Sequence, residues 1–250
     1  QLLSYSSRRE NLINQLIGAV MQVGIDGINV DFEKISKDCG VHYIQFIREL
    51  SVKCRQNGIV LSVDNYVPKG YNQQYNRKEQ GVMADYVIIM GYDEHNGSSL
   101  EAGSVSSYEF VKEGIEETIK EVPAEKVISG IPFFTRLWSE TPKTQEELNQ
   151  EAGTEAADYP MKVTSEALGM STARDKISQA GAETTLDETT GNNYATWEAD
   201  GVTYEIWLED ATSIEPKLQL MKENKLAGTA AWALGQESSD IWNLILKYVN

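Results

Sequence analysis

Cysteine is scarce in this chain of 250 residues: Cys39 and Cys54 are the whole supply, so no disulfide framework holds it together. A helix over 41–56, rising ~1.5 Å per residue, sets the two thiols roughly 22 Å apart, against the ~7 Å that a bridge tolerates. Histidine is as rare. His42 and His95 share no ligand spacing and neither cysteine lies in a C-x-x-C pair, which argues against a metal centre. No run of about 18 apolar residues exists, which excludes a transmembrane helix, and the first residues lack the basic and apolar blocks of a signal peptide. Positive charge is also short. With 22 basic against 38 acidic residues the net charge is −16, so the chain lacks the cations that neutralise nucleic-acid phosphates or bind anionic membranes. An uncharged or locally neutral substrate fits better. No repeat at a fixed period and no low-complexity tract is visible. The chain opens on Gln1 rather than Met, as expected of a processed product or a cut piece whose export signals have been lost.

What is present is the material of a globular core: 41% hydrophobic and 24% charged residues. Ser7 and Glu10 form a capping-box signature, followed at helical spacing by Leu12, Ile13, Leu16, Ile17 and Val20, and Gly24 ends that helix. The segment 25–32 reads as a strand and 41–56 as a helix stopped by Asn57-Gly58. Short apolar strands follow at 59–63, ending at Asp64-Asn65, then at 86–90 and at 127–131, with a helix capped by Ser106 and Glu109 between the last two. Strands that are apolar throughout, alternating with helices, argue for a parallel sheet covered by helices. The rhythm breaks over 135–205, where strand-like pieces at 161–164, 183–187, 194–198 and 202–207 are separated by the hairpin signals Gly191-Asn192 and Asp200-Gly201. That stretch reads as a small α+β insertion. A helix at 214–224, a strand at 227–234 and a helix near 239–248 resume the first pattern, giving barrel-like parts at 1–134 and 206–250 around the insertion.

The segment Asp26-Gly27-Ile28-Asn29-Val30-Asp31-Phe32-Glu33 carries the chemistry. Period-two alternation sends Asn29, Asp31 and Glu33 to one face and Ile28, Val30 and Phe32 to the other. Burying two carboxylates costs several kcal/mol per ion unless they are paired or share protons, so a buried strand of this kind is a functional candidate. The competing reading is an edge strand with one solvated face. The other strand ends carry Asp64, then Met90, Tyr92 and Asp93, and finally Trp232. The carboxyl ends of parallel strands are where α/β barrels hold their active sites. Acids, a tyrosine and a tryptophan there offer a sugar a proton donor, a hydrogen-bonding group and a flat apolar face. Taken singly, Tyr92 and Trp232 also read as core aromatics, and Asp64 and Asn65 either line the cleft or end a strand.

These motifs resemble the family 18 glycoside hydrolases, the chitinase-like TIM barrels. The family's D-x-x-D-x-D-x-E is matched by Asp26, Asn29, Asp31 and Glu33, its Met-x-Tyr-Asp by Met90-Gly91-Tyr92-Asp93, and its last-strand tryptophan by Trp232. The wording DGINVDFE and MGYDEH is most similar to the bacterial branch of spore-cortex and cell-wall N-acetylglucosaminidases, although no LysM-like segment is present. The resemblance implies an incomplete (β/α)8 TIM barrel, about strands four to eight, with strands one to three supplied by an upstream segment or another chain. It implies cleavage of β-linked N-acetylglucosamine in peptidoglycan or chitin-like glycans, outside the cell or at the cell wall or spore, with no cofactor and no metal. In the substrate-assisted retaining mechanism so implied, Glu33 protonates the glycosidic oxygen, Asp31 orients the acetamido group that attacks the anomeric carbon, and Tyr92 hydrogen-bonds the acetamido carbonyl. Asn29, Met90, Asp93 and Trp232 bind the sugar, Trp232 beneath the ring. Asn29 departs from the family by standing where many members have an acid, and it is expected to donate a hydrogen bond to Asp31. A catalytically silent sugar-binding protein is the alternative, and retention of both Asp31 and Glu33 favours the enzyme.

Overall fold

The computed structural model describes residues 2–249. In chain order its elements are α1 (Ser6–Val23), β1 (Gly27–Val30), α2 (Gly40–Gln56), β2 (Val60–Tyr66), α3 (Arg77–Met83), β3 (Tyr86–Met90), α4 (Tyr108–Ile119) and β4 (Val127–Pro132). Then come β5 (Phe134–Pro142), α5 (Gln145–Gln150), β6 (Met161–Gly169), α6 (Met170–Ala180), β7 (Thr185–Asp187), β8 (Asn192–Ala199) and β9 (Val202–Leu208). The chain closes with α7 (Ala211–Glu223), β10 (Gly228–Trp232) and α8 (Ile241–Val249). Two compact units result: Gln1–Met90 with Glu113–Ser129 and Met221–Ala230, and Gly91–Lys112 with Gly130–Leu220 and Ala231–Asn250.

The first unit is built on β1, β2, β3 and the opening residues of β4 and β10, in the sheet order β1-β2-β3-β4-β10. β1 and β2 pair in parallel with Asn29 opposite Ser62, and β2 and β3 pair in parallel with Asp64 opposite Ile88 and Tyr66 opposite Met90. Alternation then divides β2 cleanly. Leu61, Val63 and Asn65 are buried, while Ser62, Asp64 and Tyr66 are half-exposed on the other face. The buried face joins Val30 to Ile13, Ile17, Ile44, Phe46, Ile47 and Leu50 of α1 and α2 in one core, against which Ile28 and Phe32 pack. Burial of side chains of this size stabilises by roughly 1.5–3 kcal/mol each.

The second unit holds a five-stranded antiparallel sheet in the order β6-β5-β9-β8-β7. Its core sets Leu137, Leu168, Ala195, Ile206 and Leu208 of the strands against Ala173 and Ile177 of α6. At the β8–β9 turn both Asp200 and Gly201 have positive φ, 53° and 76°, the left-handed pair that a two-residue hairpin needs to match strand twist. Beneath the return into α7 lies a fully buried ion pair: Lys217 Nζ lies 2.9 Å and 3.2 Å from the two carboxylate oxygens of Glu209. Ser213 Oγ and Asn192 Nδ2 donate to the same carboxylate at 2.8 Å and 3.0 Å, so its lone pairs are well satisfied.

Several sequence expectations shift. α1 begins one residue before Ser7, with Tyr5 as N-cap and no side-chain cap bond, so the Ser7/Glu10 box does not form. The helix is ended as expected by Gly24 in the left-handed conformation, φ 78°. Ser107, not Ser106, caps α4 by accepting the Phe110 amide at 3.2 Å; Ser106 Oγ instead donates to Gly91 O at 2.6 Å. β5 and α6 lie outside the expected elements: β5 is ordered by pairing between β6 and β9, and α6 packs Ala173 and Ile177 against the same sheet. β1 is four residues rather than eight and ends before Asp31. β2 extends three residues beyond its expected end, taking Asp64, Asn65 and Tyr66 into the sheet. Cys39 and Cys54 are free thiols, and burial pushes Cys54 up to about 11.

Candidate active site

Within the described residues β1 pairs with β2 alone, and Asn29, Asp31 and Glu33 are exposed. Among the described residues Asp31 and Glu33 are thus exposed rather than buried. The reason lies in the layers: helices cover the Val30 face, and the opposite face of β1 is open among the described residues.

Register collects the polar side chains of that open face. β1 presents Asn29 next to Ser62, and the same face of β2 continues through Asp64 to Tyr66, whose partner on β3 is Met90. Tyr66 Oη donates to Glu33 Oε2 at 2.7 Å and accepts the Lys34 amide at 3.3 Å. A second phenol fixes the same loop: Tyr75 Oη donates to Phe32 O at 3.1 Å and accepts the Ile35 amide at 3.3 Å. Between them Lys34 adopts φ 54°, a left-handed backbone that costs a lysine on the order of 1–3 kcal/mol and persists where the surroundings over-determine it. The loop that carries Glu33 is thus held at both ends.

Asn29 corrects another expectation. Its Nδ2 donates to Ser62 Oγ and to Asp64 Oδ1, each at 2.9 Å. An amide nitrogen has two hydrogens, so none remains for Asp31. Asp31 is pushed above the usual carboxylate range by partial burial and then by the neighbouring Glu33 charge. Asp64 rises further, to about 6, because burial outweighs the Asn29 hydrogen bond and the Asp31 and Glu33 charges add to it. Asn65 turns the other way, into the core, where it donates to Gln80 Oε1 at 2.7 Å and accepts from Gln80 Nε2 at 3.0 Å. Tyr66, Tyr75 and Ser62 are the additions that only the fold supplies, and of the two residues left open between cleft and strand end, Asp64 falls on the open face and Asn65 does not. The alternation of Ser62, Asp64 and Tyr66 is the signal in the sequence, and it is hidden as long as the strand is taken to stop at Val63.

The raised Asp64 makes stability depend on pH. An aspartate in the unfolded chain titrates near 3.9, so between about pH 4 and 6 the unfolded state loses its proton first and folding is progressively disfavoured as pH rises. Raising the carboxyl from that value to about 6 corresponds to roughly 3 kcal/mol, and solvent screening at this partly exposed group reduces the figure to about 2 kcal/mol. Asp64→Asn should remove this part of the slope in urea titrations run from pH 4 to 7. An unchanged slope in the variant would show that the carboxyl is not perturbed.

In the second unit Tyr92 is half-buried and meets Phe134 edge-on, with ring centroids 6.1 Å apart. Asp93 beside it has φ 61°, another left-handed non-glycine. Trp232 ends β10 and is 55% exposed, which excludes the core-aromatic reading for that side chain. His95 Nδ1 lies 2.9 Å from Ser104 O. Among the described residues no group of three or more His, Cys, Asp or Glu side chains could hold a metal ion.

A parallel sheet that carries an acid pair and a phenol at its carboxyl edge has the layout of an α/β-barrel active site. The chain belongs to the glycosyl hydrolases family 18, whose profile matches residues 1–237. It is 26% identical over 258 residues to the cortical fragment-lytic enzyme of Bacillus subtilis, an alignment covering 100% of this chain and 56% of that protein. The spore cortex-lytic enzyme SleL of Bacillus megaterium QM B1551 superposes with a TM-score of 0.83 at 23% identity, over 100% of this chain and 55% of that one. A chitinase of Chromobacterium violaceum superposes at 0.84 with 24% identity, over 98% and 72%. The fold is therefore the TIM-barrel-like fold of this family. The chain spans 53% to 68% of the length of the curated relatives it matches.

Proposed function

We propose that this chain carries the catalytic acids of a glycosidase that cleaves β-linked N-acetylglucosamine in peptidoglycan, such as spore cortex, or in chitin-like glycans. The observation that carries the reading is the hydrogen bond from Tyr66 to Glu33 beside Asp31, within the family's acid motif. In this reading β1, β2, β3, β4 and β10 are strands four to eight of the barrel, 135–205 is an α+β insertion between barrel parts at 1–134 and 206–250, and the protein works at the cell wall or spore.

The chemistry follows from the residues. Glu33 delivers a proton to the glycosidic oxygen, and Tyr66 fixes the carboxyl that does so. The 2-acetamido oxygen of the substrate attacks the anomeric carbon as the leaving group departs with that proton, and water later opens the oxazolinium with Glu33 taking a proton back, which retains configuration. Asp31 balances the charge that develops on the acetamido nitrogen. Tyr92 binds the acetamido carbonyl, Trp232 stacks on the ring, and Asn29, Met90 and Asp93 contribute further contacts. No residue here needs a cofactor for these steps.

Release of the chromophore from a chromogenic chitooligosaccharide, or of reducing ends from spore cortex, tests this reading. Saturable binding without product would instead identify a silent sugar-binding protein. Tyr66→Phe should fold normally and lower kcat roughly 10- to 100-fold, the worth of one hydrogen bond to a charged group, about 1.5–3 kcal/mol. A kcat within twofold of the parent would remove Tyr66 from the machinery.

A further inference from the structure

The open face of β1 and β2 holds a third carboxyl that no step above uses. Asp64 sits one strand away from Asp31 and Glu33, accepts an amide hydrogen of Asn29 at 2.9 Å, and is half-buried where the other two acids are exposed. Ser62 accepts the second hydrogen. With both hydrogens anchored on β2, the carbonyl end of the planar amide is turned off that strand, and Asn29 can offer the neighbouring acids only an acceptor. We propose that Asp64 is a positioning residue for the Asp31 and Glu33 pair: by holding the Asn29 amide on β2 it keeps both amide hydrogens from the pair, and its ionisation controls whether the arrangement stands.

The groups facing Asp64 are few. Asp31 and Glu33 act on it from the segment after β1 and Asn29 from β1, its partner on β3 is the apolar Ile88, and Tyr43 of α2 feels its charge from the helix-covered side of the sheet. No cation among the groups acting on it offsets the acids. Tyr43 is fully buried, and its Oη has no hydrogen-bond partner. As pH falls through about 6, Asp64 gains a proton, becomes a donor as well as an acceptor, and no longer dictates the orientation of the amide.

The inference rests on the glycosidase reading for its consequence but is tested without it. Carbon-detected NMR of the aspartate carboxyls should show Asp64 titrating near 6, moving down in Asp31→Asn and up in Asn29→Leu, because the first removes a like charge and the second a hydrogen bond to the carboxylate. A midpoint near that of a free aspartate, indifferent to both substitutions, overturns the proposal. With a chromogenic chitooligosaccharide, Asp64→Asn should lose about tenfold or more in kcat, a typical result of misplacing reacting groups, and should lose the acid limb near pH 6. Exchanging the two side chains, Asn29→Asp with Asp64→Asn, restores one acid-to-amide bond across the same register and should recover most of that loss, a rescue that a packing defect would not give. Wild-type hydrolysis with an unaltered Asp64→Asn variant overturns the positioning role and leaves the glycosidase standing. Coupled titrations in a protein that hydrolyses none of these glycans support the arrangement and overturn the glycosidase.

Discussion

Glu33→Gln is expected to fold as the parent does and to retain at most about 1% of its turnover, since a positioned general acid contributes typically 10²–10⁴-fold, or about 3–5 kcal/mol of activation free energy. The amide is isosteric and can still meet Tyr66, whose Oη lies 2.7 Å from Glu33 Oε2 in the parent, but it has no acidic proton to give. Because Glu33 is exposed, the substitution should change stability by no more than about 0.5 kcal/mol. Activity and melting therefore separate: a lost rate with an unmoved transition assigns the loss to chemistry. The mechanism also forecasts that substrate binding survives, so KM or a directly measured Kd for a chitooligosaccharide should stay within a few-fold. Near-parental turnover of Glu33→Gln would remove the residue from its role.

The second large effect lies far from that chemistry in kind. Lys217→Met should destabilise the protein by about 3–5 kcal/mol, the usual consequence of removing one partner of a buried ion pair. Lys217 and Glu209 side chains are 1% and 0% exposed, so water cannot replace the ammonium. Ser213 and Asn192 donate two hydrogen bonds to the carboxylate but supply no opposite charge. For a chain of this size the loss corresponds to roughly 6–20 °C in Tm. Pairing it with Glu209→Gln should recover much of the stability, because the double variant buries no charge, and the coupling read from the cycle should be about 0.5–3 kcal/mol or more. A single variant that melts within about 1 °C of the parent would mean that the pair is not buried as described.

Parallel strands covered on both faces appear as short apolar runs, and 86–90 is legible to the residue because Tyr86–Met90 has no polar interruption. Left-handed glycines at 24, 191 and 201 announce their turns, since few other residues adopt that backbone cheaply. β2 is legible only to Val63, because a polar residue at every second position looks like a loop until a neighbouring strand is placed beside it. The capping of α4 moves by one residue for a similar reason: Ser106 and Ser107 are equivalent in sequence, and Glu94 settles the choice by accepting from Ser107 N at 2.8 Å and Ser107 Oγ at 3.0 Å.

The sequence by itself determined the chemistry available to this protein: Asp31 and Glu33 two apart, the Met90 to Asp93 element, Trp232, an acidic surface and membership of a glycoside hydrolase family. Local covalent spacing suffices for that, because period-two alternation and motif order do not depend on what packs nearby. Only the tertiary structure decided how the acids are held. Pairing of Asn29 with Ser62 brought Asp64 and Tyr66 to side chains more than thirty positions earlier and placed Asn65 in the core. Those outcomes depend on register between strands distant in the chain, which hydrogen bonding and core packing fix together and which no local pattern specifies.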